Sequence, residues 1–367
     1  ADVIMRANYG LEHGTEALSM CVRKAVNEML GSLAEDAGIR REDVFQVCVV
    51  GNTCMHHLFL GISPASLVHA PYTPAVSERL VLNAGDYGLA VQERAELIML
   101  SDIAGYVGAD TCGCLLAIRQ DQQEEISLMI DIGTNGEMVL GNRERMVTCS
   151  TAAGPAFEGA KIECGMRGAA GAVDHVKYED GKWNYTTVGN KPAVGLCGSG
   201  LIDLVAGLLE AGMLDENGVL RSGQEKQGVF ILVPPERGGN ERGVYLTQKD
   251  LGEVQLAKAA IAAGIQMLME RLGITEDDIC SVYIAGAFGN YMDPVSAGKI
   301  GLLPATLVKK VKPVGNAAGE GAKIALVNEK EMLEMDELVR KIEFVELAAS
   351  ADFQDHFIDE LGFETGE

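Results

Sequence analysis

The residue of this chain best placed to do chemistry is a carboxylate inside an apolar strand. Asp131 stands in Ile126-Ser127-Leu128-Met129-Ile130-Asp131-Ile132, and the chain turns back at once through Gly133-Thr134-Asn135-Gly136 into Glu137-Met138-Val139-Leu140. An ionised carboxylate in such surroundings costs on the order of several kcal/mol unless a cation, water or hydrogen-bond donors meet it. Asn135-Gly136 between alternating apolar residues is a hairpin signal, and Gly133 and Thr134 bring backbone N–H groups beside a hydroxyl. Such a tip can hold a phosphate and its metal. One reading makes Asp131 the ligand of Mg2+ or the group that positions an attacking water, with Gly133, Thr134 and Asn135 on phosphate oxygens. The other is an edge hairpin whose Asp caps its own turn, and both stand on this segment alone.

Other segments add candidates. Cys280-Ser281-Val282-Tyr283-Ile284-Ala285-Gly286-Ala287-Phe288-Gly289 reads as a buried strand opening into a loop whose glycines let the backbone approach a flat ring or a phosphate. Gly51-Asn52-Thr53-Cys54-Met55-His56-His57 places Asn52 and Thr53 at the carboxyl end of a strand over 44–50, where α/β sheets bind ligands. Adjacent histidines diverge on a helix or strand, so His56 and His57 form a poor chelate and read as structural or partner-facing. A strand over 146–150 ends in a loop that gathers the hydroxyls of Ser150 and Thr151 and the carboxylate of Glu158. Cys197-Gly198-Ser199-Gly200 is a glycine-rich helix start, suited to anion binding or to tight packing. Gln255 and Lys258, three apart on one helix face, either reach a ribose or base or are solvated.

The elements that must hold these residues are set by periodicity and breakers. An amphipathic helix is predicted over 15–37, with Leu18, Val22, Val26, Met29, Leu30 and Leu33 on one face and Gly38 ending it. Residues 62–97 read as irregular, 105–119 as a helix of small residues, and 215–243 as a surface flap rich in glycine and charge. A β pair is expected at 173–178 and 182–187. The helix over 247–272 carries Thr247 and Asp250 in the spacing of a capping box, with Gly273 after its end. Val314-Gly315-Asn316-Ala317-Ala318-Gly319-Glu320-Gly321-Ala322 opens a helix of very small residues, for close packing or domain hinging.

Length and charge bound the function. At 367 residues and 47% hydrophobic content the chain can bury a sizeable core and form two or more domains. With 30 basic against 53 acidic residues, nucleic acid and anionic membrane are disfavoured partners, since both select basic faces. No run of about 20 apolar residues occurs, and the opening Ala1-Asp2-Val3-Ile4-Met5-Arg6 lacks the layout of a signal peptide, which favours the cytoplasm. Nine cysteines without a Cys-x-x-Cys pair indicate neither a disulfide framework nor a structural zinc, and ferredoxin spacing is absent. Cys112 and Cys114 read as core thiols; Cys54, Cys149, Cys164 and Cys197 each border a glycine- or hydroxyl-rich loop.

The Asp-Ile-Gly-Thr hairpin, the Ala-Gly-Ala-Phe-Gly strand end and the small-residue helix occur in the order of the actin-like ATPase superfamily. They resemble its second phosphate loop, adenosine loop and second connecting helix. Together with Gly51-Asn52-Thr53, Ala152-Ala153-Gly154-Pro155-Ala156-Phe157-Glu158-Gly159 and Cys197-Gly198-Ser199-Gly200, the series is similar to the reductive activators of corrinoid-dependent enzymes. That resemblance implies an α/β actin-like ATPase (ASKHA) fold in two subdomains, 1–130 and 131–367, around a nucleotide cleft. It implies ATP and Mg2+ as ligands and reduction of Co(II) to Co(I) in a corrinoid protein or a corrinoid-dependent methyltransferase component. Asp131, Asn52 and Thr53 take the catalytic roles, with Asp131 on the metal. Nucleotide contacts fall to Gly133, Thr134, Asn135, Gly154, Gly198, Ser199, Gln255, Lys258, Gly286, Ala287, Phe288 and Gly289. Ser150 and Thr151 are expected to face the partner, and a homodimer stays open. The opening residues resemble the part of the ATPase domain that comes after the first phosphate hairpin. On this reading that hairpin and a ferredoxin-like 2Fe–2S domain lie outside this sequence, and turnover by this chain is expected to be low. A small-molecule kinase of the same superfamily and a non-hydrolysing binding module are the alternatives.

Overall fold

The computed structural model describes residues 3–221, 228–348 and 350–363. The chain forms two compact units: Ala1–Glu124 with Asn142–Met146 and Asn316–Phe344, and Glu125–Gly141 with Val147–Gly315 and Val345–Glu367. The boundary expected at 130 falls inside a strand, and segments are exchanged between the units instead of being divided by one cut.

The first unit begins with α1 (Val3–His13) and α2 (Glu16–Ala37), then β1 (Gln46–Val49), α3 (Thr53–Leu60), β2 (Leu80–Asn83), β3 (Glu96–Met99) and α4 (Ala109–Ile118). Its sheet runs β1-β3-β2, with β1 parallel and β2 antiparallel to β3. Two short strands therefore stand in a stretch expected to be irregular; their four-residue length leaves too little alternation to read. Helix α2 has the predicted extent and ends on Gly38 at φ 66°, but it buries Ser19, Gly31 and Ala34, whereas Val22, Met29 and Leu33 are exposed. Small residues, not the large apolar ones, let this helix approach its neighbours. The same rule governs the small-residue helix Ala317–Val327, which lies against α4 so closely that a Cβ on Gly113 would sit 2.6 Å from the Ala318 carbonyl oxygen. Its glycines serve close packing.

The second unit is built on β4 (Ile126–Ile132), β5 (Gly136–Gly141) and β6 (Met146–Thr151), joined by β12 (Ile279–Ala285) and β13 (Val311–Gly315) in the order β13-β12-β4-β5-β6. β4 pairs antiparallel with β5 and parallel with β12, so it is apolar almost throughout because both of its neighbours and both of its faces are protein. β7 (Ala172–Glu179) pairs with β8 (Lys182–Thr187) and β9 (Gly195–Leu196), and β10 (Val229–Val233) pairs with β11 (Val244–Thr247). Of the expected surface flap, 222–227 lies outside the described residues; the next strand buries Phe230 and Val233 in the core, which corrects that part of the expectation. α5 (Gly198–Glu210) packs on β7, where a Cβ on Gly200 would overlap the Val173 carbonyl. α6 (Gln248–Leu272) forms with the predicted capping box and Gly273 cap. It lies under the hairpin: a Cβ on Gly264 would meet Met138 and, at 2.8 Å, Thr151. Among the described residues no helix is long and apolar enough to cross a membrane.

Candidate functional site

The site of the second unit grows from the end of β4. Asp131 stands opposite Glu137 of β5 and Ala285 of β12, one residue before the strand stops. Gly133, Thr134 and Asn135 form the tip, closed by the Gly133 N–H donating to the Asn135 carbonyl at 2.9 Å. That single bond leaves the N–H groups of Thr134 and Asn135 without an acceptor among the described residues. Next to them begins the short helix α7 (Gly286–Gly289), whose first residue has φ 86° and leaves room that a Cβ would take: it would lie 2.9 Å from Asp131 Oδ1. Burial, and the neighbouring Glu158 charge, push the Asp131 carboxyl up to about 6. Neither a side-chain donor nor a backbone N–H of the turn donates to it among the described residues, so Asp131 does not cap its own turn.

A cavity of about 600 Å³ opens on this hairpin within the same unit. Asp131, Gly133, Glu158, Ser199, Gly286 and Phe288 line it, and Arg167, Asp174 and Tyr291 complete its polar wall. Phe157 stacks on Phe288 with ring centroids 5.7 Å apart and planes 15° from parallel. Gly198 makes that stack possible, since a Cβ there would stand 2.6 Å from the Phe288 ring. Glu158 accepts from the Thr134 hydroxyl at 2.5 Å, and Ser199 donates to the Asp174 carbonyl at 2.8 Å.

The expected residues divide sharply. Asp131, Gly133, Gly198, Ser199, Gly286 and Phe288 line the cavity; Thr134 and Asn135 stand at its hairpin, and Ala287 belongs to α7. Gly154, at φ 75°, and Gly289, whose Cβ would strike Ile284, are backbone positions outside the lining. Gln255 and Lys258 require correction. Gln255 donates to the carbonyls of Asn217 and Leu361, while Lys258 is buried 3.7 Å from the Glu360 carboxylate with its ammonium over the Phe363 ring. They face the C-terminal segment, because helical spacing fixes a face but not what covers it. Thr151 also requires correction: it is buried, and its hydroxyl donates to the Gly136 carbonyl at 3.3 Å. Ser150 is half-buried and donates to Glu137 at 3.4 Å.

In the first unit Asn52 caps α3, accepting from the Met55 N–H at 2.9 Å, and Thr53 donates to the Ala104 carbonyl at 2.7 Å. His57 is held between the Thr53 carbonyl and the Ala75 N–H, and buried His56 pairs with Asp102 at 3.3 Å. Cys54, Cys112, Cys114, Cys149 and Cys197 are buried. The residues that sequence reasoning missed are Arg167, Asp174 and Tyr291. They come from loops and a strand without a motif, and only folding brings them to the hairpin.

A hairpin with unengaged donors beside a half-buried aspartate, a glycine-opened helix start across from it and helices packed on the sheet are features of the actin-like, nucleotide-binding (ASKHA) class of fold. The family model for the C-terminal, ASKHA domain of RACo matches residues 125–367, and that for the RACo middle region matches residues 1–123. The chain belongs to the RACo family. It is 35% identical to the corrinoid activation enzyme RamQ of Eubacterium limosum over 97% of this chain and 63% of RamQ. It is 29% identical to the Co(II) methylated amine-specific corrinoid protein reductase of Methanosarcina barkeri, over 76% of this chain and 54% of that protein. A solved reductive activator for corrinoid, iron-sulfur protein superposes with a TM-score of 0.90 at 37% identity, covering 99% of this chain and 60% of the other. The chain thus spans between 54% and 63% of the length of these relatives.

Proposed function

We propose that this chain is the nucleotide-driven part of a reductive activator of corrinoid proteins. ATP, with Mg2+, occupies the cavity of the second unit, and its turnover drives the reduction of Co(II) to Co(I) in a bound corrinoid protein. One observation carries the reading: the hairpin offers two unengaged N–H groups beside a half-buried carboxylate that no side-chain donor meets among the described residues. Backbone N–H groups gathered at such a tip are suited to an anion, and the carboxylate beside them to its cation. The residues present fit a metal-bound phosphate chain. Asp131 would take the metal side, the Gly133–Asn135 backbone the phosphate oxygens, and Gly286 the close backbone approach. The Phe157–Phe288 pair offers an apolar wall to the rest of the nucleotide.

Bound ATP would supply the free energy that an unfavourable cobalt reduction requires. The chain's own residues bind and orient it: desolvation, and then the like charge of Glu158, raise the Asp131 pKa, and a cation at that oxygen would restore the ionised form. Ser150 keeps access that Thr151 lacks and is the candidate for contact with the partner. The test is calorimetric titration with ATP and Mg2+, then binding of a corrinoid protein in its Co(II) and Co(I) forms with and without nucleotide. Tighter binding of the Co(II) form in one nucleotide state is the expected result; equal affinity in every state would refute the coupling.

A further inference from the structure

The carboxylate of Glu158 has no part in the nucleotide and metal contacts proposed for this cavity, yet it lines it. The turn that carries it is closed by three bonds, Glu158 N–H to Pro155, Gly159 N–H to Ala156 and Ala160 N–H to Pro155, all to carbonyls at 3.0–3.1 Å. Gly159, at φ 77°, lies where a Cβ would meet the Met166 backbone at 2.5 Å, so the turn is clamped from behind. In front, Phe157 anchors it to Phe288 of α7, and Glu158 itself receives the Thr134 hydroxyl of the hairpin. Glu158 is therefore held between the two loops that meet the nucleotide, facing the cavity.

A carboxylate so held can do one thing that Asp131 cannot. Asp131 sits at the base of the hairpin, where a cation would neutralise it. Glu158 is exposed, accepts only one bond among the described residues and keeps its second oxygen for another donor. The Thr134 hydroxyl has a single proton to give, so it cannot serve Glu158 and a phosphate oxygen together. Phosphate entry draws that proton away and frees Glu158.

Resting on the nucleotide reading, we propose that Glu158 orients and deprotonates the water that cleaves ATP, and that Thr134 holds it in readiness until phosphate takes over the hydroxyl. In the step, the water oxygen forms a bond to the terminal phosphorus and its proton passes to Glu158. The bond from that phosphorus to the bridging oxygen breaks, and its electron pair leaves with ADP. The proton on Glu158 then returns to solvent.

The alternative is that Glu158 only ties the turn to the hairpin. Glu158→Gln separates the two, because the amide oxygen still accepts the Thr134 hydroxyl but cannot take a proton. ATP affinity by calorimetry and cleavage under single-turnover conditions, with protein in excess, are measured for the unaltered protein, Glu158→Gln and Thr134→Val. Glu158→Gln is expected to bind ATP as tightly, or about 2–5-fold tighter for loss of a like charge, and to cleave it about 100-fold or more slowly. Thr134→Val is expected to weaken binding about 2–10-fold. Cleavage by Glu158→Gln at the unaltered rate would overturn the assignment, as would weakened binding with the rate preserved. An unaltered protein that binds ATP without cleaving it would overturn the role of Glu158 and leave the nucleotide site standing; one that binds none would overturn both.

Discussion

Two strand ends in this molecule carry the same kind of residues and meet different fates. In the first unit β1 runs into Gly51-Asn52-Thr53; in the second β4 runs into Gly133-Thr134-Asn135. Each offers an amide, a hydroxyl and a glycine. Asn52 is engaged in capping α3 and Thr53 in holding the Ala104 carbonyl, whereas the Asn135 side chain and the N–H groups of Thr134 and Asn135 make no such bonds among the described residues. The difference lies in the next element of the chain: a helix begins directly after Asn52 and its open N–H groups take the nearest acceptor, while after Asn135 the chain returns as a strand and leaves the tip open. At the tip only the Thr134 hydroxyl is engaged, and its partner is Glu158 of the cavity wall and not the backbone of a following helix.

The largest effect that would sharpen this comparison is expected at Asp131. Asp131→Asn should weaken ATP·Mg2+ binding by about 30-fold or more, the scale of a lost charged partner of about 2–5 kcal/mol, read by calorimetry. Unchanged affinity would place the metal elsewhere and erase the contrast.

Next comes pH. Because Asp131 titrates near 6 in the fold and near 3.8 when free, the folded chain holds its proton more tightly than the unfolded one. Stability therefore suffers no penalty below pH about 4, declines progressively between about 4 and 6, and lacks on the order of 2–3 kcal/mol above that. In urea unfolding at pH 5 and pH 8 without nucleotide, Asp131→Asn should be the more stable protein at pH 8, with the gap narrowing at pH 5. An equal gap at both would mean the carboxylate is solvated.

Glu360→Ala probes a polar pair that folding has engaged. It should cost about 2 kcal/mol, below the usual figure for breaking a buried pair because Glu360 is partly exposed, and leave ATP affinity within about twofold. Affinity reduced more than tenfold would show that α6, which carries Lys258 and lies under the hairpin, transmits the C-terminal contact to the site.

The smallest effect belongs to Asn52. Asn52→Ala should lower stability by about 1 kcal/mol, the value of an N-cap, with no change in ATP affinity. A nucleotide defect without a stability loss would reverse the comparison.

Legibility in the sequence tracks the range of the interactions involved. The β4–β5 hairpin, the capping box of α6 and the β7–β8 pair are readable because each depends on residues a few positions apart. The fate of Gln255, Lys258 and Thr151 is not. Their spacing places them on a helix face and at a strand end, but residues 217, 360–363 and 136 decide what they touch. The buried face of α2 departs from expectation for a related reason: hydropathy marks which side chains would gain from burial, whereas close approach is set by the small residues that permit it.

The local chemistry of the site follows from residue order. Asp131 in an apolar strand, a glycine and a hydroxyl after it, and a turn that leaves backbone donors open are properties of neighbouring residues, and backbone geometry alone brings them together. Which of the polar candidates stayed available was settled by long-range packing. Pairing β4 with β12 brought Gly286 to Asp131, stacking Phe157 on Phe288 set Glu158 beside Thr134, and docking the C-terminal segment closed off Lys258. Those contacts join residues tens to hundreds of positions apart, where no local preference reaches and only the packing of a common core brings them together.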